Sequence, residues 1–344
     1  MTRMRCAMRV VSRAVIADAH NDLLLELVHR RGEERPFERY WLPHLVAGDV
    51  GLQVCPLYAE VEEGAERALA EALVETTAFR RAVAENGGRV AHVRSRSDLD
   101  TLDGRIGLLL SLEGCEPLGT NPELIEVFWE LGVRMASLTW NRRNAFADGA
   151  GEPAHGGLST LGRELVARLV ELRVVLDLAH ASDRTFADVL EAASDATFVV
   201  SHAGCRAIVD TPRNVSDDQL RALAERGGVF CVMALPLVVD PQGPTIERVV
   251  DHIDHAVEVM GIEHVGLGAD FIQQVALACG YDGHAAALLP PGMSMHDPIE
   301  GLAGPQDYGA LVAELRRRGY EGSDLDAILS GNLMRLLHEA LPTN

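Results

Sequence analysis

Lysine does not occur anywhere in the sequence, so all 31 basic residues are arginine and a carboxylated lysine cannot bridge metals in this chain. Aromatic residues make up only 5%, and cysteines number 6. Cys6, Cys55, Cys115, Cys205, Cys231 and Cys279 are scattered without a C-x-x-C pair, which excludes a dense disulfide framework and fits a reducing compartment. No stretch offers the ~20 apolar residues of a membrane span, and arginines break the N-terminal segment too often for a signal peptide. The expected location is the cytoplasm. Positive charge is also short: a formal net charge of −20 repels phosphate backbones and anionic lipid, so neither nucleic acid nor a membrane is an expected partner.

What is present reads as an ordinary globular chain, with 47% hydrophobic and 24% charged residues and no low-complexity run. Short β-branched apolar runs recur at 15–20, 51–58, 106–113, 133–140, 174–180, 197–202, 228–235 and 264–270. Amphipathic helical stretches lie between them, at 65–84, 122–131, 161–172, 183–193, 216–226 and 245–260, with final helices at 308–318 and 323–340. Ser182 or Asp183, and Ser216 followed by Asp217 and Asp218, supply helix caps. Eight strands alternating with helices predict an α/β fold, a (β/α)8 TIM barrel, forming one domain over residues 1–344. The Gly/Pro-rich stretch 278–306 reads as a binding loop or lid.

The ionisable residues fall at the strand ends. His20 and Asp22 close the first run, Glu113 the third, His180 the fifth, His202 the sixth and Asp270 the eighth. Barrel closure brings those ends onto the face where barrel enzymes place their active sites. Unpaired carboxylates buried together cost several kcal/mol each, so three of them beside three imidazoles call for a cation. Nitrogen and oxygen donors without thiolate favour Zn²⁺, with Mn²⁺, Co²⁺ and Fe²⁺ as alternatives, and six donors exceed what one catalytic zinc uses. Two metals are therefore expected, bridged by Glu113 and by a water whose pKa falls to about 7.

Seven segments in order, DAHND (18–22), LEG (112–114), LDLAHASD (176–183), SHAGCRAI (201–208), RNVSDDQL (213–220), HVGLGADF (264–271) and YGALVAELRRRGY (308–320), give a resemblance over nearly the whole chain. The chain resembles the membrane (renal) dipeptidases, within the binuclear amidohydrolase barrels. The resemblance implies a zinc-dependent dipeptidase in which His20, Asp22 and Glu113 hold one metal and Glu113, His180 and His202 the other. It implies that Asp270, near the first metal, shuttles the proton, that Arg213 takes the free carboxylate of a dipeptide whose C-terminal residue is of either chirality, and that the protein forms a homodimer. Two departures stand out. The family reads Leu-Thr-His-Asn after the fourth strand, where this chain has Leu138–Thr139–Trp140–Asn141. It also reads Phe-Asp-Gly after the eighth-strand Asp, where this chain has Phe271–Ile272–Gln273.

An indole can donate a hydrogen bond but carries no charge, and loss of one oxyanion donor costs roughly 10²–10³ in turnover. Asn141 and Asn144 are candidates to compensate, and Trp140 and Asn141 are taken as substrate-binding residues. Trp140 also favours an alternative on the same metals, hydrolysis of N-acyl amino acids or of another amide or lactone; a barrel that binds metal and ligand without turnover is the non-enzymatic alternative. The remaining histidines show no such pattern: His252 and His255, beside Asp251 and Asp254, read as a solvated helix face, and His155 lies in a loop within reach of the pocket. The cysteines read as small core hydrophobes.

Overall fold

Runs that are apolar on both faces form parallel strands covered on both sides. The clearest is IGLLLSLE, in which every residue is buried. The strands are β1 (Ile16–Asp18), β2 (Val50–Tyr58), β3 (Val90–His92), β4 (Ile106–Glu113), β5 (Val133–Ser137), β6 (Val175–Asp177), β7 (Phe198–Ala203), β8 (Val229–Val232) and β9 (Val265–Leu267). All pair in parallel, in the order β2-β1-β9-β8-β7-β6-β5-β4-β3, and a further pairing of β2 with β4, from Leu52↔Gly107 to Tyr58↔Glu113, closes the ring. The computed structural model describes residues 15–59, 64–154, 156–280 and 297–344. His155 and the centre of the expected 278–306 loop, residues 281–296, lie outside the described residues.

The ring is a (β/α)8 barrel whose eight strands match the eight expected runs. β3 is additional: it pairs only with the start of β4, Ile106–Leu108, and stands outside the ring. Alternation along β4 sorts its side chains. Leu108, Leu110 and Leu112 pack with the helical shell, while Leu109 joins Leu52, Val54, Met135, Val175 and Val199 inside the ring. Leu333, Leu336, Leu337 and Ala340 of the last helix pack into this inner cluster and plug the barrel. The same alternation carries Ser111 and Glu113 to the interior at the opposite end.

Three expectations need correction. β1, β5, β6, β8 and β9 end two or three residues before their expected runs do, and beyond β6 and β9 the chain carries His180 and Asp270 in left-handed backbone conformations, φ 64° and 54°. The expected helix 323–340 is Gly322–Asp326, a π turn at Ala327–Gly331 and Asn332–Ala340; the turn presents Asn332 Nδ2 to the carbonyls of Ile262 and Val265. His252 is fully buried rather than solvated, since it shares the inner stripe of helix Ile246–Met260 with Val249, Ile253 and Ala256. The amide of Cys205 donates to its Nδ1 and its Nε2 donates to the Val239 carbonyl. His255, on the outer side, pairs with Asp217.

The expected caps fall on Ser182, which accepts from the Thr185 amide, and on Ser216, which forms a capping box with Gln219. Helix Ile272–Cys279 occupies the first residues of the expected loop. Among the described residues, no helix is long and apolar enough to cross a membrane.

Candidate metal centre

Each donor reaches the barrel mouth by a local device. Asp18, the last residue of β1, accepts from the amides of His20 and Ala269, tying the end of β1 to the segment after β9. Asp22 stands immediately before helix Leu23–His29. Glu113 points inward by strand alternation, and Gly114 behind it, at φ +87°, leaves room for the chain to turn: a Cβ there would lie 2.9 Å from the Trp140 nitrogen. β7 is irregular between Val200 and Ala203, and that irregularity lets both Ser201 and the adjacent His202 be used at the mouth. The left-handed backbone at His180 and Asp270 is the kind of strain that persists at functional sites because the surroundings enforce it.

The structure brings all six sequence-assigned donors together. Glu113 stands between two groups, its Oε2 3.4 Å from His20 Nε2 and its Oε1 3.0 Å from His180 Nε2 and 3.6 Å from His202 Nε2. His20 Nε2 is also 3.6 Å from Asp22 Oδ1 and 3.9 Å from Asp270 Oδ1. Three overlapping triads have their donor atoms within 4.8 Å of one another: His20–Asp22–Glu113, Glu113–His180–His202 and His20–His202–Asp270.

These donors fit a divalent metal. His20 Nε2, Asp22 Oδ1, Glu113 Oε2 and Asp270 Oδ1 are buried and make no hydrogen bond among the described residues. The Asn141 carboxamide oxygen lies 2.7 Å from His180 Nδ1, and as an acceptor it places the imidazole proton there. Ser201 donates its hydroxyl to buried Asp177 and so accepts from His202 Nδ1 at 2.7 Å. Both lone pairs are thereby left on Nε2, and the two Nε2 atoms face each other at 2.8 Å. Two lone pairs at that distance repel unless a cation lies against them. Burial, with Arg213 and His20 nearby, holds His180 and His202 neutral by pushing their pKa values well below the ordinary imidazole range. Burial opposes charge on His20, but Glu113, Asp22 and Asp270 outweigh it and raise its pKa. Burial drives Glu113 and Asp270 up, the signature of more negative charge than the site can hold unaided.

The three further candidates line the rim. Arg213 Nη2 donates to the His202 carbonyl at 2.8 Å and lies 3.0 Å from His180 Nε2. Burial lowers its pKa to about 10, which leaves it charged at neutral pH. Asn214 pins the loop that carries it, accepting from the Gly204 amide and donating to the carbonyls of Val209 and Val238. The Trp140 ring lies 5.9 Å from that of His180. Asn141 faces His180 with its oxygen, whereas Asn144 donates to the Leu138 carbonyl and to the Glu116 carboxylate and accepts from the Phe146 and Ala147 amides, which leaves it no donor for substrate. Sequence reasoning missed Asp18, Asp177, Ser201 and Asn214. Asp18, Ser201 and Asn214 sit within two residues of an assigned residue, which was the available signal.

A closed parallel barrel with imidazoles and carboxylates converging on the C-terminal ends of its strands is a metal-site (β/α)8 barrel. A model of the membrane dipeptidase family (peptidase family M19) matches residues 4–343, and the chain belongs to that family. It is 29% identical over 339 residues to dipeptidase 3 of Rattus norvegicus, covering 94% of this chain and 64% of the relative. Dipeptidase aclJ of Aspergillus oryzae is 35% identical over 239 residues, covering 68% of this chain and 51% of that protein. The chain spans about half the length of the first curated relatives it matches. Among solved structures, a metallo peptidase from Rhodobacter sphaeroides, liganded with a phosphinate mimic of the dipeptide L-Ala-D-Ala, superimposes with a TM-score of 0.81 at 23% identity, covering 95% of this chain and 99% of that one. That likeness concerns the fold.

Proposed function

We propose that the chain is a zinc-dependent dipeptidase, a single (β/α)8-barrel catalytic domain that hydrolyses small dipeptides with a free carboxylate. The observation that carries this reading is Glu113, whose two oxygens face separate sets of imidazole nitrogens, His20 Nε2 on one side and His180 and His202 Nε2 on the other. His20, Asp22 and Glu113 would hold one Zn²⁺, and Glu113, His180 and His202 a second, with Asp270 beside the first. Bound there, the metals supply Lewis acidity and bring the pKa of water to about 7.

The protein's own groups do the rest. Asp270 Oδ1, buried and without a hydrogen bond, is available to take the proton of the attacking water and deliver it to the departing amine. Burial raises its pKa, and a carboxyl held nearer neutrality passes a proton in both directions more readily than an ordinary Asp. Arg213 presents a half-buried donor, charged at neutral pH, to the substrate carboxylate, and Asn214 holds the loop that aims it. The Rhodobacter sphaeroides protein, with its L-Ala-D-Ala mimic, supports a D-residue among those accepted at the C-terminal position. A homodimer and a cytoplasmic location belong to the same proposal, the latter supported by the free thiols of Cys55, Cys115, Cys205, Cys231 and Cys279.

The test is amino-acid release from L-Xaa-L-Xaa and L-Xaa-D-Xaa dipeptides by zinc-reconstituted protein, with Asp270→Asn as control. Release that disappears in the control is expected; silence across the panel overturns the reading. Uncharged Trp140 beside His180 favours a second reading, an N-acyl-amino-acid hydrolase on the same metals. Cleavage of N-acetylated amino acids in preference to free dipeptides selects it.

A further inference from the structure

Two aromatic residues stand at the mouth of the barrel and are anchored alike. Tyr58 ends β2 directly across from Glu113 in the strand register. Its amide donates to Glu75 Oε2 at 2.8 Å, and the amide of Trp140 donates to Glu116 Oε1 at 3.1 Å. Both glutamates are buried, with 3% and 4% of their surface exposed. The rings meet edge to face, centroids 5.4 Å apart at 71°. Tyr58 is nearly covered and Trp140 half-buried, and the indole N–H makes no hydrogen bond among the described residues. Nothing in the packing of a barrel requires two buried carboxyls to hold two adjoining aromatic residues at its mouth; the arrangement fixes a rigid apolar wall.

The wall has a definite position relative to the donors. The Trp140 ring is 5.9 Å from His180, and Arg213 Nη2 lies 3.0 Å from the same imidazole. Whatever carboxylate Arg213 holds is therefore next to His180, and the side chain on the carbon bearing that carboxylate is one residue's reach from the indole. Both anchoring carboxyls are turned onto backbone amides, so the wall presents ring surface and no charge, and a charged side chain loses water there without an ion pair in return. A flat apolar side chain gains burial and edge or face contact with the indole.

We propose that Trp140 and Tyr58 form a specificity wall that selects dipeptides whose C-terminal residue is aromatic. The proposal rests on the dipeptidase reading for the substrate's identity, but the wall can be tested by binding alone. Zinc-loaded Asp270→Asn protein is titrated calorimetrically with Ala-Phe, Ala-Ala, Ala-Asp and Phe-Ala, using both chiralities of the C-terminal residue. Ala-Phe is expected to bind roughly 10- to 100-fold more tightly than Ala-Ala, with Ala-Asp weakest, the range a large apolar contact supplies. Trp140→Ala should bring the Ala-Phe to Ala-Ala ratio to within about threefold, and Tyr58→Leu should lower it as a second, milder variant. Equal binding of Ala-Phe and Ala-Ala, a preference for Phe-Ala over Ala-Phe, or a ratio indifferent to Trp140→Ala overturns the proposal. Cleavage by the wild-type protein separates this from the reading beneath it. Dipeptide cleavage with no Phe preference removes the wall and leaves the dipeptidase; a Trp140-dependent Phe preference in binding with no cleavage does the reverse.

Discussion

Replacing Asn141 with leucine removes one acceptor while nearly preserving side-chain volume, and the structure says where the loss will register. Asn141 Oδ1 lies 2.7 Å from His180 Nδ1 and keeps the imidazole proton there, which leaves the Nε2 lone pair directed at Glu113 Oε1, 3.0 Å away, and at His202 Nε2. With leucine the proton is free to move to Nε2, and each metal-binding event must then first shift it back or release it. Partners that orient a ligating histidine are worth about 10- to 100-fold in metal affinity, or about 1.4–2.8 kcal/mol. Zinc affinity measured against a chromophoric chelator should fall by that factor in Asn141→Leu, while the melting temperature of the metal-depleted protein changes little. Asn141→Asp keeps the acceptor and adds charge, so it should retain at least wild-type affinity. An unchanged zinc affinity in Asn141→Leu with only KM raised would refute this role, because Asn141 then contacts substrate, the role its place beside Trp140 in the sequence gives it.

Two further outcomes follow from burial. His92, packed edge-on against Phe79 and beside Arg94, is held neutral by desolvation with its pKa lowered from 6.5 to about 4. The unfolded chain therefore binds a proton that the folded chain refuses between those values, so stability is lost as pH falls from 6.5 toward 4. In urea unfolding at neutral pH and near pH 4.5, His92→Phe should reduce the acid-induced loss by up to about 2.5 kcal/mol, and an identical pH dependence in both proteins would sink this account. Chelation should lower the melting temperature, since a ligand present at about 1,000 times its Kd stabilises the folded state by about 4 kcal/mol. Glu113→Gln, which cannot serve both donor groups as an anion, should abolish most of that chelator-sensitive increment, and a full increment in the variant would exclude Glu113 as a shared ligand.

The parts of the fold that could be read in advance are those where burial imposes a pattern on several consecutive residues. β4 is eight buried residues in a row, and its sequence could hardly be anything but a strand covered on both faces. β3 has three residues, too few for a period, and its place depends on the pairing with Ile106–Leu108 that exists only once the chain has folded. The π turn at Ala327–Gly331 is similarly invisible, because its cause is the pair of carbonyls that Asn332 meets, contributed from a segment some seventy residues earlier. The burial of His252 is hidden for the same reason: two aspartates beside it describe the helix's outer face, whereas its own direction is set by the inner stripe of Val249, Ile253 and Ala256.

The site divides along the same line. Its six donors each terminate an apolar run, and strand ends in a closed barrel have one place to go, so their convergence was legible before any coordinate. What makes them donors was not. The protons on His180 and His202 are assigned by Asn141 from the segment after β5 and by Ser201 with Asp177 across β6 and β7, pairings between strands that no spacing announces. The left-handed backbone at His180 and Asp270, which follows the ends of two strands and aims two side chains, belongs equally to the closed structure and not to the local sequence. Trp140 belongs to both halves of the site. The sequence marks it as a departure, and only the edge-to-face contact with Tyr58, with Glu75 and Glu116 behind the pair, turns the loss of an imidazole into the gain of a wall.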